Sequence, residues 1–145
     1  MSDNSMQAIR GITVPDAKLM VGSFTYTSGD PAASSYLGFN ISSVTYAATG
    51  KFTVTFTNAD VMTSVVYAHA EVKDITDGST PPGPNTSMTK AAWATCYYDA
   101  TATGGPTLSI YTRRVDTGDL VAPDSGTVIT FFLVATGSGV GYGYA

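Results

Sequence analysis

Charge is the scarcest property of this chain. Only 12 % of its 145 residues are Asp, Glu, Lys or Arg, about half of the ~25 % usual in globular domains. Glutamate is almost missing: Glu71 is the one Glu among 11 acidic residues. Helices draw their outer faces largely from Glu, Lys and Arg. The shortage therefore counts against helix and for strands coated with Thr and Ser. Arg113-Arg114 is the one adjacent basic pair, and the net charge is −4. The composition predicts no binding to nucleic acid by phosphate neutralisation. A surface this poor in charge is either covered by partners or is the plain Thr/Ser coat of a secreted or virion surface. Composition leaves both open.

Other absences narrow the chemistry. Cys96 is the single cysteine, which rules out an intrachain disulfide and a thiolate metal cluster. A lone Cys in an apolar stretch reads as a small buried hydrophobe. His69 is the single histidine. A hydrolase triad would need it beside a nucleophile. His69 and Glu71 share one face of a predicted strand, but no Ser or Cys is tied to them by a motif. Zinc would need three or four His, Cys or carboxylate ligands. Calcium needs only oxygens, and Asp74 with Asp77, or Asp116, Asp119 and Asp124, could supply them. Neither group has EF-hand spacing, and Asp is also an ordinary turn residue. Glu71 and Asp99 could be paired as glycosidase carboxylates, a pairing many sequences would offer. No glycine loop carries the lysine of a phosphate site. The expectation is a protein that is not an enzyme, with no catalytic residues, no cofactor and no metal. The polar start of the chain has no apolar core of a signal peptide. No run approaches the ~18 apolar residues of a membrane span, so no membrane partner is expected.

What is present is β patterning. Residues 43–57 carry the strongest signal. Val44, Tyr46, Phe52, Val54 and Phe56 alternate with Ser43, Thr45, Thr53, Thr55 and Thr57, a period of two on both arms. Ala47-Ala48-Thr49-Gly50-Lys51 lies between as a loop, with Gly50 able to take positive φ. This is an antiparallel hairpin whose apolar side faces a core and whose Thr side faces solvent or a partner. Further strands are predicted over residues 18–27, 64–72, 90–98, 107–113 and 127–135, the last being the most apolar and hence central. Along 64–72, Val66, Ala68 and Ala70 face one way, and Tyr67, His69 and Glu71 the other. Residues 90–98 contain helix-favouring alanines. Their two alternating rows, with Trp93, Thr95 and Tyr97 in one, favour strand. The three prolines of residues 74–87 exclude helix and inner strand.

Seven or eight strands spaced by about ten to fifteen residues point to an all-β protein, a single antiparallel β-sandwich or jelly roll. The predicted organisation is an extended arm over residues 1–17, the sandwich over 18–136, and a Gly/Tyr-rich tail over 137–145. The nine Tyr and one Trp suit an interface or a sugar-stacking surface as well as an ordinary sandwich core and rim. Rings in a Gly-rich tail cannot build a core alone, so Tyr142 and Tyr144 are expected to dock on a partner. Ile9, Arg10 and Ile12 of the arm are expected to do the same.

Residues 38–59, GFNISSVTYAATGKFTVTFTNA, resemble a short hairpin found in β-sandwich modules of tailed-phage virion proteins: tail fibres, head fibres and capsid decoration proteins. The matching positions are Asn40, Ser43, Val44, Thr45, Thr49, Gly50, Phe52, Thr53, Val54, Phe56 and Thr57, within about one seventh of the chain. The strand with Tyr67 is similar in kind to one that follows in such modules, whereas the Pro-rich loop departs from the pattern. The resemblance implies a virion protein of a bacteriophage, assembled in the host cytoplasm, with no catalytic residues and a homotrimer as its assembly. Two functions are expected under it. One is a capsid decoration (cement) protein that binds the major capsid protein or another virion protein. The other is a receptor-binding knob at a fibre tip that contacts a host surface glycan.

Overall fold

A computed structural model describes residues 18–38, 40–57, 64–73, 91–114 and 116–136. The arm and tail residues Ile9, Arg10, Ile12, Tyr142 and Tyr144 lie outside them, as does the Pro-rich loop with Asp74 and Asp77. Eight strands follow in chain order: β1 (Lys18–Thr25), β2 (Leu37–Gly38), β3 (Ile41–Ala48), β4 (Lys51–Phe56), β5 (Ser64–Lys73), β6 (Ala91–Asp99), β7 (Thr107–Arg114) and β8 (Val128–Thr136). A single 3-10 turn, Ala33–Ser35, precedes β2. The strands form two four-stranded antiparallel sheets, ordered β2-β1-β8-β5 and β3-β4-β7-β6. The two sheets pack against each other as a sandwich. The structure shows a sandwich and does not show a jelly-roll connectivity.

Period-two patterning builds the core. Met20 and Phe24 of β1 point inward, as do Phe52, Val54 and Phe56 of β4, Leu108 and Ile110 of β7, and Ile129, Phe131 and Leu133 of β8. Val44 is buried with them, while Tyr46 is half-buried against the cluster. Phe52 is the centre of an aromatic group that spans both sheets. Its ring lies 5.3 Å from Phe24, 5.5 Å from Tyr26 and 5.2 Å from Tyr46. Phe56 meets Phe131 edge-on across the same interface at 6.2 Å. Such tilted and edge-to-face pairs add ~0.5–1.5 kcal/mol each beyond the area they bury. Where Phe131 reaches β1, a side chain would collide: a Cβ on Gly22 would lie 2.5 Å from its ring. The glycine makes room for the phenylalanine.

The hairpin turn is tighter than the pattern suggests. β3 runs through Ala47 and Ala48, and Ala48 pairs with Lys51 after a register shift. Only Thr49-Gly50 is left as the turn. Gly50 has φ +67°, and a Cβ there would sit 2.8 Å from Thr112 O, Val121 N and Val121 O. The backbone is this close because Thr112 N–H donates to Gly50 O (2.8 Å) and Val121 N–H donates to Thr112 O (3.1 Å). The fully buried Thr112 hydroxyl donates to Val121 O at 2.7 Å.

Unpaired sheet edges invite wrong pairing, and β3 has its edge covered. Val44 N–H donates to the Tyr36 hydroxyl (3.0 Å), which donates on to Pro31 O (3.0 Å). Tyr46 N–H donates to Asp30 Oδ1 (2.6 Å). On the other side of the sandwich, the edge strands β5 and β6 lie close beside each other.

Two outcomes follow from this core. Gly50→Ala should cost about 2–3 kcal/mol, since it forces a side chain into positive φ and against three backbone atoms; a urea midpoint measures it. Burial, then a hydrogen bond and charge interaction with Tyr46, raise the Tyr26 hydroxyl above the ordinary 10. The stability that goes with its protonated form is fully present below pH 10 and is lost as pH rises through the higher folded value. An alkaline titration of unfolding should therefore steepen above pH 10, and Tyr26→Phe should remove that part of the slope.

Candidate functional site: two outer faces

A sandwich has one core and two outer faces, and here the outer faces differ in chemistry. On the first sheet the side chains pointing outward are the odd-numbered ones of β1, the odd-numbered ones of β5 from Tyr67 onward, and the even-numbered ones of β8; a register shift after Val65 turns that residue inward, opposite Ala135. Register lines them up in rows. Leu19, Val134 and Tyr67 form the first, and Val21, Phe132 and His69 the second. Ser23, Thr130 and Glu71 follow, then Thr25, Val128 and Lys73. Apart from His69, the first two rows are apolar, and they are open to solvent: Leu19 keeps 67 % of its surface, and Val21 and Tyr67 52 % each. Phe132 holds them together, with the Tyr67 and His69 rings each 5.4 Å from its own. Leu37, opposite Ser23, extends the patch onto β2. These rows stand at the end of the sheet where residues 18 and 136 adjoin the arm and tail.

The sequence carried a signal for this patch that strand periodicity hides. Leu19-Met20-Val21 and Phe131-Phe132-Leu133-Val134 are apolar in both parities. Continuous apolar runs belong to strands covered on both sides. β8 is indeed interior to its sheet, between β1 and β5, but the opposite sheet covers only one of its faces.

The outer face of the second sheet is a lawn of hydroxyls with aromatic rings at one side. Thr45, Thr53, Ser109 and Tyr97 form one row across β3, β4, β7 and β6. Ser43, Thr55, Thr107 and Asp99 form the next. Toward the other end, Lys51, Tyr111 and Thr95 align, and Arg113 faces Trp93. Trp93 and Tyr97 are exposed. The Trp93 ring is fixed by its Nε1–H, which donates to Arg114 O at 3.0 Å. The Arg113 guanidinium lies over that ring, 5.9 Å from its centre, and donates to Gly118 O at 2.9 Å. Lys51 Nζ sits 5.7 Å from the centre of the Tyr111 ring.

The residues weighed for catalysis are not drawn into a site. His69 stacks on Phe132 and faces outward with Glu71. Among the described residues no hydrogen bond joins His69 to Glu71 or to a nucleophile, and no three His, Cys, Asp or Glu side chains gather as metal ligands. Asp116 is held by Arg114 at 2.6 Å, and that guanidinium keeps its carboxyl below the usual range. Asp99 accepts from Thr101 N–H and its hydroxyl as a turn residue. Cys96 packs against the core from β6, and burial pushes its thiol up, away from the thiolate that reactivity needs. No protein-family model, curated protein or solved structure matches this chain.

Proposed function

We propose that this chain is a virion structural protein, a capsid decoration protein that binds the assembled head and stabilises it. The observation that carries the reading is the apolar pair of rows on the outer face of the first sheet. Exposed apolar surface of this kind, rimmed by polar rows, marks a protein docking surface. Its occupant is the shell of major capsid protein. Burial of Leu19, Val21, Phe132, Val134 and Tyr67 supplies the free energy, at ~25 cal/mol for each Å² of apolar surface removed from water. A subunit that binds the assembled shell and not its free subunits stabilises the shell by mass action. The phage-like hairpin adds a homotrimer as the binding unit.

A fibre-tip knob is the second reading, favoured by the exposed Trp93 and Tyr97 of the other sheet. Copy number separates the two: hundreds of copies per particle mean decoration, and a few dozen at most mean a fibre.

Leu19→Lys combined with Val21→Lys should leave the sandwich folded by circular dichroism, because both side chains point away from the core. The double variant should lose retention on capsids that lack this protein and should add nothing to their heat resistance, whereas the parent chain raises it. Parent chain that neither binds such capsids nor protects them overturns the decoration reading. If the double variant still binds but falls from trimer to monomer in light scattering, the apolar rows are the subunit interface and not the capsid-facing surface.

A further inference from the structure

We propose that the outer face of β6, β7 and β4 is a binding surface for a neutral, β-linked polysaccharide, with Trp93, Tyr97 and Tyr111 as its stacking rings. The inference is independent of the docking role of the first sheet, because it concerns the opposite side of the sandwich.

The chemistry of the face selects the ligand class. Ser and Thr hydroxyls both donate and accept, so a lawn of them suits a partner whose groups also do both, as a polyol does. Aromatic rings beside the lawn offer apolar faces with polar tips, which suit the C–H side of a pyranose; Tyr97 is the most open of them, and Trp93 and Tyr111 each carry a cation over one face. The three charged side chains that register places among these rows are Lys51, Arg113 and Asp99. A polyanion such as nucleic acid needs a run of cations, which this face does not offer in a chain of net charge −4. A protein partner would have to strip water from the Ser and Thr hydroxyls and replace each hydrogen bond.

Geometry narrows the class further. Trp93 and Tyr97 stand four residues apart on one strand, ~13 Å along it. Tyr111, opposite Thr95, lies between them on the neighbouring strand, ~5 Å to the side. Rings spread along a sheet face suit an extended ribbon, the form of β-1,4-linked chains with equatorial linkages. An α-linked glucan coils and leaves such a surface after one or two sugars. Part of the platform is also held before any ligand arrives. Trp93 is tied to Arg114 O, and Arg113 is tied to Gly118 O and to Thr95 Oγ1 at 3.4 Å. Side chains fixed in advance lose less freedom on binding.

Trp93 is the one tryptophan of the chain, so its emission reports on this face alone. The full chain should be titrated with chitohexaose and cellohexaose, with maltohexaose as the coiled comparison. A saturable change in Trp93 emission with at least one β-linked hexasaccharide is expected, with maltohexaose much weaker. Tyr97→Ala should weaken that binding about tenfold or more, equivalent to ~1.4 kcal/mol. Thr53→Lys, in the same row as Tyr97, should weaken it as well. Both side chains point outward, and circular dichroism checks that each variant folds. The Leu19→Lys, Val21→Lys variant should bind sugar as the parent does. No saturable change with either β-linked sugar overturns the proposal. So does parent-like binding by both face variants, or an equal response to maltohexaose.

Discussion

Everything in this molecule leans on the contact of Phe52 with Phe24 across the sandwich. Phe52 comes from the hairpin sheet and Phe24 from the sheet that also holds β8. Tyr26 and Tyr46 close round the same ring. With so few charges available, ion pairs contribute little, and exposed ones such as Arg114–Asp116 are worth little in any case. Cohesion comes from apolar area and ring packing between sheets. That assigns the inward parity of every strand to the core and leaves the outward parity free to differ between the two sheets.

The loops serve the same arrangement by finishing the sheets where strands stop. The segment around Val121 lies against Thr112 and the Gly50 turn and takes up backbone groups that would otherwise be unpaired. Asp30 and Tyr36 do this for the free edge of β3 through side chains. With that edge occupied, recognition by adding a strand to it is blocked. Along that strand, partners are left with the broad face.

The legible and illegible parts of the sequence divide along one physical line. Strands with one covered face alternate visibly, so the hairpin residues Val44, Phe52, Val54 and Phe56 could be placed inward from pattern alone. The turn was harder, because Ala47 and Ala48 carry no strong strand preference and look like loop until their pairing with Lys51 is seen. β6 was ambiguous for the same reason: alanine favours helix by itself, and Ala94 and Cys96 are strand residues because they pack against the core. The apolar rows of the first sheet were concealed by abundance. Leu19-Met20-Val21 and the Phe131–Val134 stretch show no alternation, and only the register reveals which members face out. The hydroxyl and aromatic face of the second sheet was visible as separate strands with Thr, Ser and Tyr in alternate positions, but its alignment into a surface depends on strand order.

The pairing of Lys18 with Ala135 has a consequence for how such a unit can be joined to others. Cross-strand partners sit only ~5 Å apart, so the polypeptide goes into and comes out of the sandwich at nearly one point. A unit tethered that way suits insertion into a loop of an unrelated host protein as a cassette. The same geometry handicaps a conventional fusion tag. Cargo attached at residue 18 or residue 136 emerges beside Leu19 and Val134 and crowds the apolar rows.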